Sequence, residues 1–202
     1  RLGSFTEGPM KMGRAMRRKE NRLAYGVVKD NDALADGVAL FSSATHNNRT
    51  TGALTTVADY VAAWNTMTQK MAEQKGLDAD SGALNFEPVY VVFPPAIRGI
   101  IRQALGSNVT SSEMGRNIWE QGLTPVEEAE LGAAFGGSDT RHLLSASGMD
   151  VDTIEYAHLQ GLEEPRIEQE TAFASLAIRQ RIYSAFAVKA LDYRGVQDHT
   201  GA

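Results

Sequence analysis

The stretch Glu87-Pro88-Val89-Tyr90-Val91-Val92-Phe93-Pro94-Pro95 contains five consecutive large apolar residues closed by a proline pair. Such a run is typical of a strand buried on both faces, and it predicts the centre of a sheet. Pro95 can begin a helix, and apolar residues keep helical spacing from there until Gly106. The turn between strand and helix is Pro-Pro, neither a glycine-rich phosphate loop nor a nucleophile elbow, so we interpret this unit as structural core.

The composition is that of a globular protein, with 43% hydrophobic and 22% charged residues in 202. No apolar run is long enough to span a bilayer, which predicts no membrane partner. The absence of cysteine excludes disulfides, thiolate catalysis and cysteine-ligated metal sites, and it fits a reducing cytoplasm. Because the sequence begins at Arg1 without a methionine or a secretory signal, we expect an N-terminal part to be missing.

The charge is segregated along the chain. The net charge is −5, but residues 11–22 hold six of the twenty basic residues and one acid, a local +5, which leaves −10 for the remainder. Residues 9–29 are predicted to form a helix with two stripes. The apolar stripe contains Met12, Met16, Leu23 and Val27, and the basic stripe contains Lys11, Arg14, Arg18 and Arg22. The basic stripe is the candidate site, and it is expected to face solvent or an anion.

The clearest other helix begins at Thr56, which caps it, and is expected to end at Gly76. Its Met and Trp side chains predict a core face rather than a ligand site. Residues 42–52 are interpreted as a polar surface loop, in which His46 is a turn histidine rather than a ligand or base. Residues 106–150 are turn-rich, and a loop region of this length is typically functional or ordered by a partner. Gly136 to Asp139 is interpreted as a plain turn.

The C-terminal third is predicted to be strand-like. A hairpin is expected between residues 153–159 and 166–168, around a turn at 161–165. Apolar residues alternate with polar ones from Leu176 to Leu191, which predicts a long half-buried strand or a strand pair.

Several short pieces of the sequence, in this order, resemble the Mu-like family of phage major head subunits. The pieces are Gly13-Arg14-Ala15, the segment from Asp36 to Asn48, Tyr90 to Pro95, Asp152 to Gly161, and Asp192-Tyr193-Arg194-Gly195. Each piece is short and carries no chemistry, so the resemblance rests on the ordered set, which spans nearly the whole chain.

The resemblance implies an α+β fold class, the Hong Kong-97-type capsid fold, with a spine helix, long peripheral strands and an axial α/β domain. It implies a peripheral domain in residues 1–45 and 172–202 and an axial domain in residues 46–171. It further implies a structural major capsid protein that forms homo-hexamers and homo-pentamers of an icosahedral shell around non-specifically packaged double-stranded DNA. The expected location is the virion capsid, assembled in the host cytoplasm, with portal, scaffold or decoration proteins as further partners. In such a shell the basic stripe is expected to face either packaged DNA or a neighbouring subunit, and residues 106–150 are expected to order at contacts with neighbouring copies.

Two other functions remain open at the level of sequence. One is a small α/β hydrolase-like enzyme that uses His46 or His142 as a base beside an acid such as Asp139. The other is a nucleic-acid-binding module that works through the basic helix, although a pI near 5.4 argues against a dedicated binder. No metal spacing, catalytic triad or dinucleotide fingerprint occurs, so we predict no catalytic residue, no cofactor and no metal.

Overall fold

The computed structural model describes residues 3–76, 78, 81–106, 119, 122–172 and 177–201. The helices are α1 (Gly3–Asp30), α2 (Val57–Ala72) and α3 (Arg98–Ala104), with short 3-10 turns at Pro95–Ile97, Ala129–Leu131 and Ala133–Phe135. The strands are β1 (Arg49–Thr50), β2 (Pro88–Phe93), β3 (Thr124–Glu127), β4 (His142–Ala146), β5 (Ile154–His158), β6 (Arg166–Ala172), β7 (Ala177–Tyr183), β8 (Phe186–Ala190) and β9 (Val196–His199).

The chain divides into two compact units. The helix–hairpin unit comprises Arg1–Val27 and Glu155–Lys189, and the sheet unit comprises Val28–Ile154 and Ala190–Ala202. The divisions between the units differ from the boundaries at 45/46 and 171/172 expected from the sequence. Residues 28–45 belong to the sheet unit, and residues 155–171 belong to the helix–hairpin unit.

The sheet unit is built on a mixed five-stranded sheet in the order β1-β9-β4-β2-β3. β2 is parallel to β3 and antiparallel to β4, and β9 is antiparallel to β4 and parallel to β1. The prediction that residues 88–93 form the central strand is therefore wrong, since β4 lies in the middle. β2 is also not buried on both faces: Val91 is 0% exposed, but Tyr90 is 39% exposed.

Two strands of the sheet, β4 and β9, were not foreseen. They carry His142, Gln197, Asp198 and His199, polar residues that interrupt the apolar pattern by which a buried strand is recognised. All four of these side chains are nevertheless buried. Tertiary burial of polar residues therefore overrides the local sequence pattern here.

The core of the sheet unit contains one face of α2, together with α3 and the inner side chains of β2 and β4. Trp64, Met67 and Met71 are fully buried on α2, which confirms that the Met and Trp stripe is core. The indole of Trp64 meets Trp119 edge-on, with ring centroids 6.0 Å apart. Burial of each such large apolar side chain contributes on the order of 1.5–3 kcal/mol to folding.

The predicted cap of α2 is confirmed. Thr56 accepts a hydrogen bond from the backbone N–H of Asp59, and the Asp59 carboxylate accepts one from the Thr56 N–H in return. Hydrogen bonds from the backbone of Thr56 and Thr55 lower the pKa of Asp59 to about 2. The helix ends at Ala72, one turn before Gly76.

The helix–hairpin unit contains α1 up to Val27 and two two-stranded sheets, β5–β8 and β6–β7. The prediction of a hairpin between residues 153–159 and 166–168 is wrong, because β6 pairs with β7 instead. That register sets Ile167 opposite Ile182 and Glu168 opposite Arg181, so apolar and oppositely charged side chains match across the strands. Residues 177–183 and 186–190 form β7 and β8, which pair with β6 and β5 and not with each other, so the prediction of one long strand or a strand pair from 176 to 191 is wrong. Leu176 lies outside the described residues.

The expectation that residues 106–150 need neighbouring copies to order is wrong for residues 122–150. This part contains β3, two 3-10 turns and β4, and Leu131 and Leu144 are fully buried within the sheet unit. Residues 107–118, 120 and 121 lie outside the described residues.

Candidate functional site

The basic stripe lies on one side of α1, which continues without a break over the predicted positions. Lys11, Arg14, Arg18 and Arg22 are all exposed, and Lys11 forms an ion pair with Glu7 at 2.9 Å one turn earlier. Spacings of three and four residues bring these four cations to one side of the helix. On the opposite stripe Met12, Met16 and Val27 are half-buried, whereas Leu23 is 48% exposed, contrary to the prediction.

A cleft flanks the basic stripe inside the helix–hairpin unit. Its helical wall carries Arg14, Arg17 and Arg18, and its other wall includes Ile167 of β6 and Ile182 of β7. Arg17 was not part of the predicted stripe, because on a helical wheel it points about 120° away from Lys11 and about 100° away from Arg18. The i, i+3, i+4 spacing of the three arginines is the sequence signal that could have found it.

The segment from Asp36 to Asn48, one of the pieces behind the family resemblance, folds around the buried side chain of Asn48. Its Oδ1 accepts a hydrogen bond from the Ser42 N–H at 2.9 Å, and its Nδ2 donates to the carbonyl oxygens of Leu40 at 2.8 Å and Tyr193 at 3.3 Å. The Asn48 carbonyl accepts from the Asp198 N–H at 2.8 Å, which attaches the segment to β9. The interpretation of residues 42–52 as a plain surface loop is therefore wrong at Asn48, which is 0% exposed.

His46 is the second buried polar residue of that segment. Its Nε2 lies 2.8 Å from Asp36 Oδ2, its Nδ1 lies 3.2 Å from the Leu40 carbonyl oxygen, and its ring stacks on Tyr193 at 3.8 Å. The hydrogen bond from His46 holds the pKa of Asp36 below its usual value. Asp36, ten residues before His46, is thus the carboxylate that the sequence spacing did not indicate. Both ring nitrogens of His46 have a hydrogen-bond partner within the fold.

A buried polar layer joins β4 to β9. The rings of His142 and His199 stack at 5.2 Å, and Tyr60 of α2 lies 5.4 Å from His142. Asp198 Oδ1 accepts from Arg141 at 2.6 Å, and its Oδ2 lies 3.1 Å from Arg49. Burial raises the pKa of Asp198, and the two guanidinium groups oppose that rise.

A family model described as phage capsid protein matches residues 1–198. The chain belongs to the phage capsid protein family. A search of the curated proteins found no match. The α+β fold class predicted for a capsid protein is confirmed, while membership of the Mu-like group stays a prediction.

Solved phage structures resemble this capsid-family chain at low sequence identity. A crystal structure of a phage-related protein from Bordetella bronchiseptica RB50 has a TM-score of 0.60 and 11% identity, over 94% of this chain and 63% of that one. A Mycobacterium phage Che8 structure has a TM-score of 0.45 and 14% identity, over 77% and 54%. A satellite phage P4 procapsid that includes the size determination protein has a TM-score of 0.36 and 8% identity, over 71% of this chain and 40% of that one. The chain therefore spans less than two thirds of the length of these structures.

The geometry of the capsid-family chain gives no support to the hydrolase-like alternative. Asp139 does not meet either histidine, because its Oδ1 accepts a hydrogen bond from the Ala133 N–H at 2.9 Å and orders the turn. His46 and His142 are 2% and 0% exposed, so neither ring is accessible to a substrate. Within the described residues no group of three His, Asp or Glu side chains is arranged to hold a metal ion. None of the described helices is both long and apolar enough to cross a membrane.

We expect the sheet unit to lose stability as the pH falls below 6.5. Burial, and then the charge on His199, lower the pKa of His142 to about 3, and burial also lowers the pKa of His199. The unfolded chain therefore binds a proton at His142 between pH 6.5 and 3 that the folded chain does not bind. Each pH unit in that window costs about 1.4 kcal/mol for this histidine, or about 2 kcal/mol at pH 5.

Urea unfolding at pH 7, 6 and 5, followed by tryptophan fluorescence, measures this loss. The control is His142→Phe, which keeps an aromatic ring between Tyr60 and His199 but cannot titrate. The slope of unfolding free energy against pH should be reduced in this variant. An unchanged slope would show that His142 does not carry the effect.

Proposed function

We propose that this chain is a structural subunit of a phage shell that assembles with copies of itself and has no enzymatic role. The observation that carries the proposal is the capsid family match over residues 1–198. We further propose homo-hexamers and homo-pentamers of an icosahedral shell enclosing double-stranded DNA, assembled in the host cytoplasm. Portal, scaffold or decoration proteins would contact it there.

In this proposal the two compact units take the two roles expected of a shell subunit. The sheet unit, residues 28–154 with 190–202, is proposed as the axial domain that meets its copies around the symmetry axes. The helix–hairpin unit, with α1 as the spine helix, is proposed as the peripheral domain. The support is that residues 28–154 of the sheet unit are inserted between the two segments of the helix–hairpin unit, and that residues 190–202 return to the sheet unit after the second segment.

Expression of the full-length protein tests the assembly proposal. Negative-stain electron microscopy and analytical ultracentrifugation should show shells, hexamers or pentamers. A monodisperse monomer at every protein concentration and salt concentration would contradict it.

We propose for the basic stripe a sequence-independent contact with packaged DNA. Four exposed cations on one side of a helix, in a chain whose remainder carries −10, match the phosphate backbone, which is bound through counterion release without base readout. Contact with an acidic neighbouring subunit is the other arrangement that the same charges would allow.

Replacement of Arg14, Arg18 and Arg22 together by Gln should still let shells form at high protein concentration, but these shells should release DNA at a lower salt concentration. Each lost phosphate contact should reduce the slope of log affinity against log salt by about one. The control replaces three exposed cations off the stripe, Lys19, Lys75 and Arg102, by Gln. DNA retention equal to that control at every salt concentration would contradict the DNA contact, and loss of shells would assign the stripe to assembly.

A further inference from the structure

The cleft beside the basic stripe combines an apolar floor with positive charge. It has a volume of about 720 Å³ and is open to solvent, so it is too large for a single ion and large enough for a short peptide segment. Its apolar side includes Met10, Ile167 and Ile182, of which Met10 is 63% and Ile167 is 46% exposed. Exposed apolar side chains gathered in one concave surface mark a contact for another molecule.

The charges that line the cleft favour an acidic ligand. Arg14, Arg17 and Arg18 line it with one acid, Glu164, which gives the lining a formal charge of +2 (three arginines less one glutamate). Within the described part of the chain no carboxylate forms an ion pair with these three arginines. An apolar floor does not suit the phosphate backbone of DNA, which offers no apolar side chain to cover it. A peptide that carries both carboxylates and an apolar side chain matches both properties.

The chain itself presents such a peptide on the sheet unit. Met149 is 98% exposed, the highest value among the exposed large apolar residues of the described chain, and Asp150 and Asp152 beside it are exposed as well. The segment is an ordered turn: Ser147 Oγ accepts from the Met149 N–H at 3.2 Å, and the Ser147 carbonyl accepts from the Asp150 N–H at 3.0 Å. A turn already held in shape loses little entropy on binding.

We propose that the cleft binds the turn at residues 149–152 of a second copy of this chain. Met149 covers the apolar floor, and the two aspartates face the three arginines. Their charge of −2 matches the net charge of +2 of the cleft lining. Carboxylates and arginines can form bidentate pairs, which fix orientation as well as supply attraction. This inference rests on the self-assembly proposed above and names one contact that assembly uses.

Charge reversal on each side, and on both sides together, tests the contact. Arg14→Glu with Arg17→Glu reverses the cleft, and Asp150→Lys with Asp152→Lys reverses the turn. Because like charges across an interface cost several kcal/mol, each double variant should raise the protein concentration needed for assembly by about tenfold or more. The combination of all four should recover most of that loss. Met149→Gln, which leaves the charges intact, should also weaken assembly.

A matched control separates a specific pair from a change in net charge. Asp30 and Asp32 are exposed and have the same two-residue spacing, but no exposed methionine precedes them. Asp30→Lys with Asp32→Lys should neither weaken assembly nor rescue the reversed cleft. If the four-residue combination assembles no better than the weaker double variant, the inference is wrong. It is equally wrong if the reversed cleft assembles normally and loses only DNA. Failure of the wild-type protein to assemble would instead contradict the proposed function.

Discussion

Replacement of Asn48 by Ala should destabilise the sheet unit by about 3 kcal/mol, because it removes all three hydrogen bonds of a fully buried side chain. The Ser42 N–H loses its acceptor, whereas the carbonyl oxygens of Leu40 and Tyr193 lose one donor each and keep His46 Nδ1 and the Val196 N–H. A hydrogen bond contributes about 0.5–1.5 kcal/mol, and a donor left unsatisfied costs about 1–3 kcal/mol. Against a total stability of about 5–15 kcal/mol for a domain, this is a large fraction.

Chemical unfolding followed by tryptophan fluorescence measures this effect, since both tryptophans, Trp64 and Trp119, lie in the sheet unit. Ser43→Ala, in the same segment but at an exposed position, is the matched control and should change stability by less than about 0.5 kcal/mol. Asn48→Asp is a sharper test. It keeps Oδ1 as the acceptor for the Ser42 N–H, but it replaces the Nδ2 donor by an oxygen that faces the carbonyl oxygens of Leu40 and Tyr193. It should cost at least as much as Ala at neutral pH. A cost below about 1 kcal/mol for both variants would show that Asn48 is not the organising residue.

The helices were predictable from the sequence because their signals are local. The cap at Thr56, the apolar face of α2 and the charge pattern of α1 each lie within a few turns of one segment. The sheet was predictable only in part, because strand order depends on partners far along the chain. β4 and β9 pair although their partner residues lie more than fifty positions apart in the sequence. Their histidines and aspartate interrupt the apolar pattern that would otherwise indicate a buried strand.

The candidate site shows the same limit. The stripe on α1 follows from spacing within one helix, whereas the cleft requires the hairpin of β6 and β7, which the sequence did not pair. The resemblance behind the Asp36 to Asn48 segment identified a family, yet it assigned no role to Asn48. That role depends on Tyr193 and Asp198, about 150 residues later. Residues that act by long-range hydrogen bonds leave no periodic signal in one sequence.

Among the described glycines of the sheet unit, Gly137 is the one at which an added methyl group should have the largest effect. A Cβ at this position would lie 1.9 Å from the carbonyl oxygen of Leu131 and 2.6 Å from its carbonyl carbon, and both are backbone atoms that no side-chain rotation can move. The same carbonyl accepts the Ser138 N–H at 2.8 Å, and the Gly137 N–H donates to Gly132 at 3.0 Å. The turn must open, and the fully buried Leu131 must move with it.

We expect Gly137→Ala to cost more than about 4 kcal/mol, in the range reserved for broken core contacts. For a chain of this size that lowers the melting temperature by on the order of 10 °C. The adjacent Gly136 is the matched control, since it has φ +82° and no atom within 4 Å of an added Cβ. Gly136→Ala therefore meets only the left-handed backbone penalty, about 1–2 kcal/mol. Equal losses at the two positions would mean that backbone conformation, rather than the contact with Leu131, makes glycine necessary in this turn.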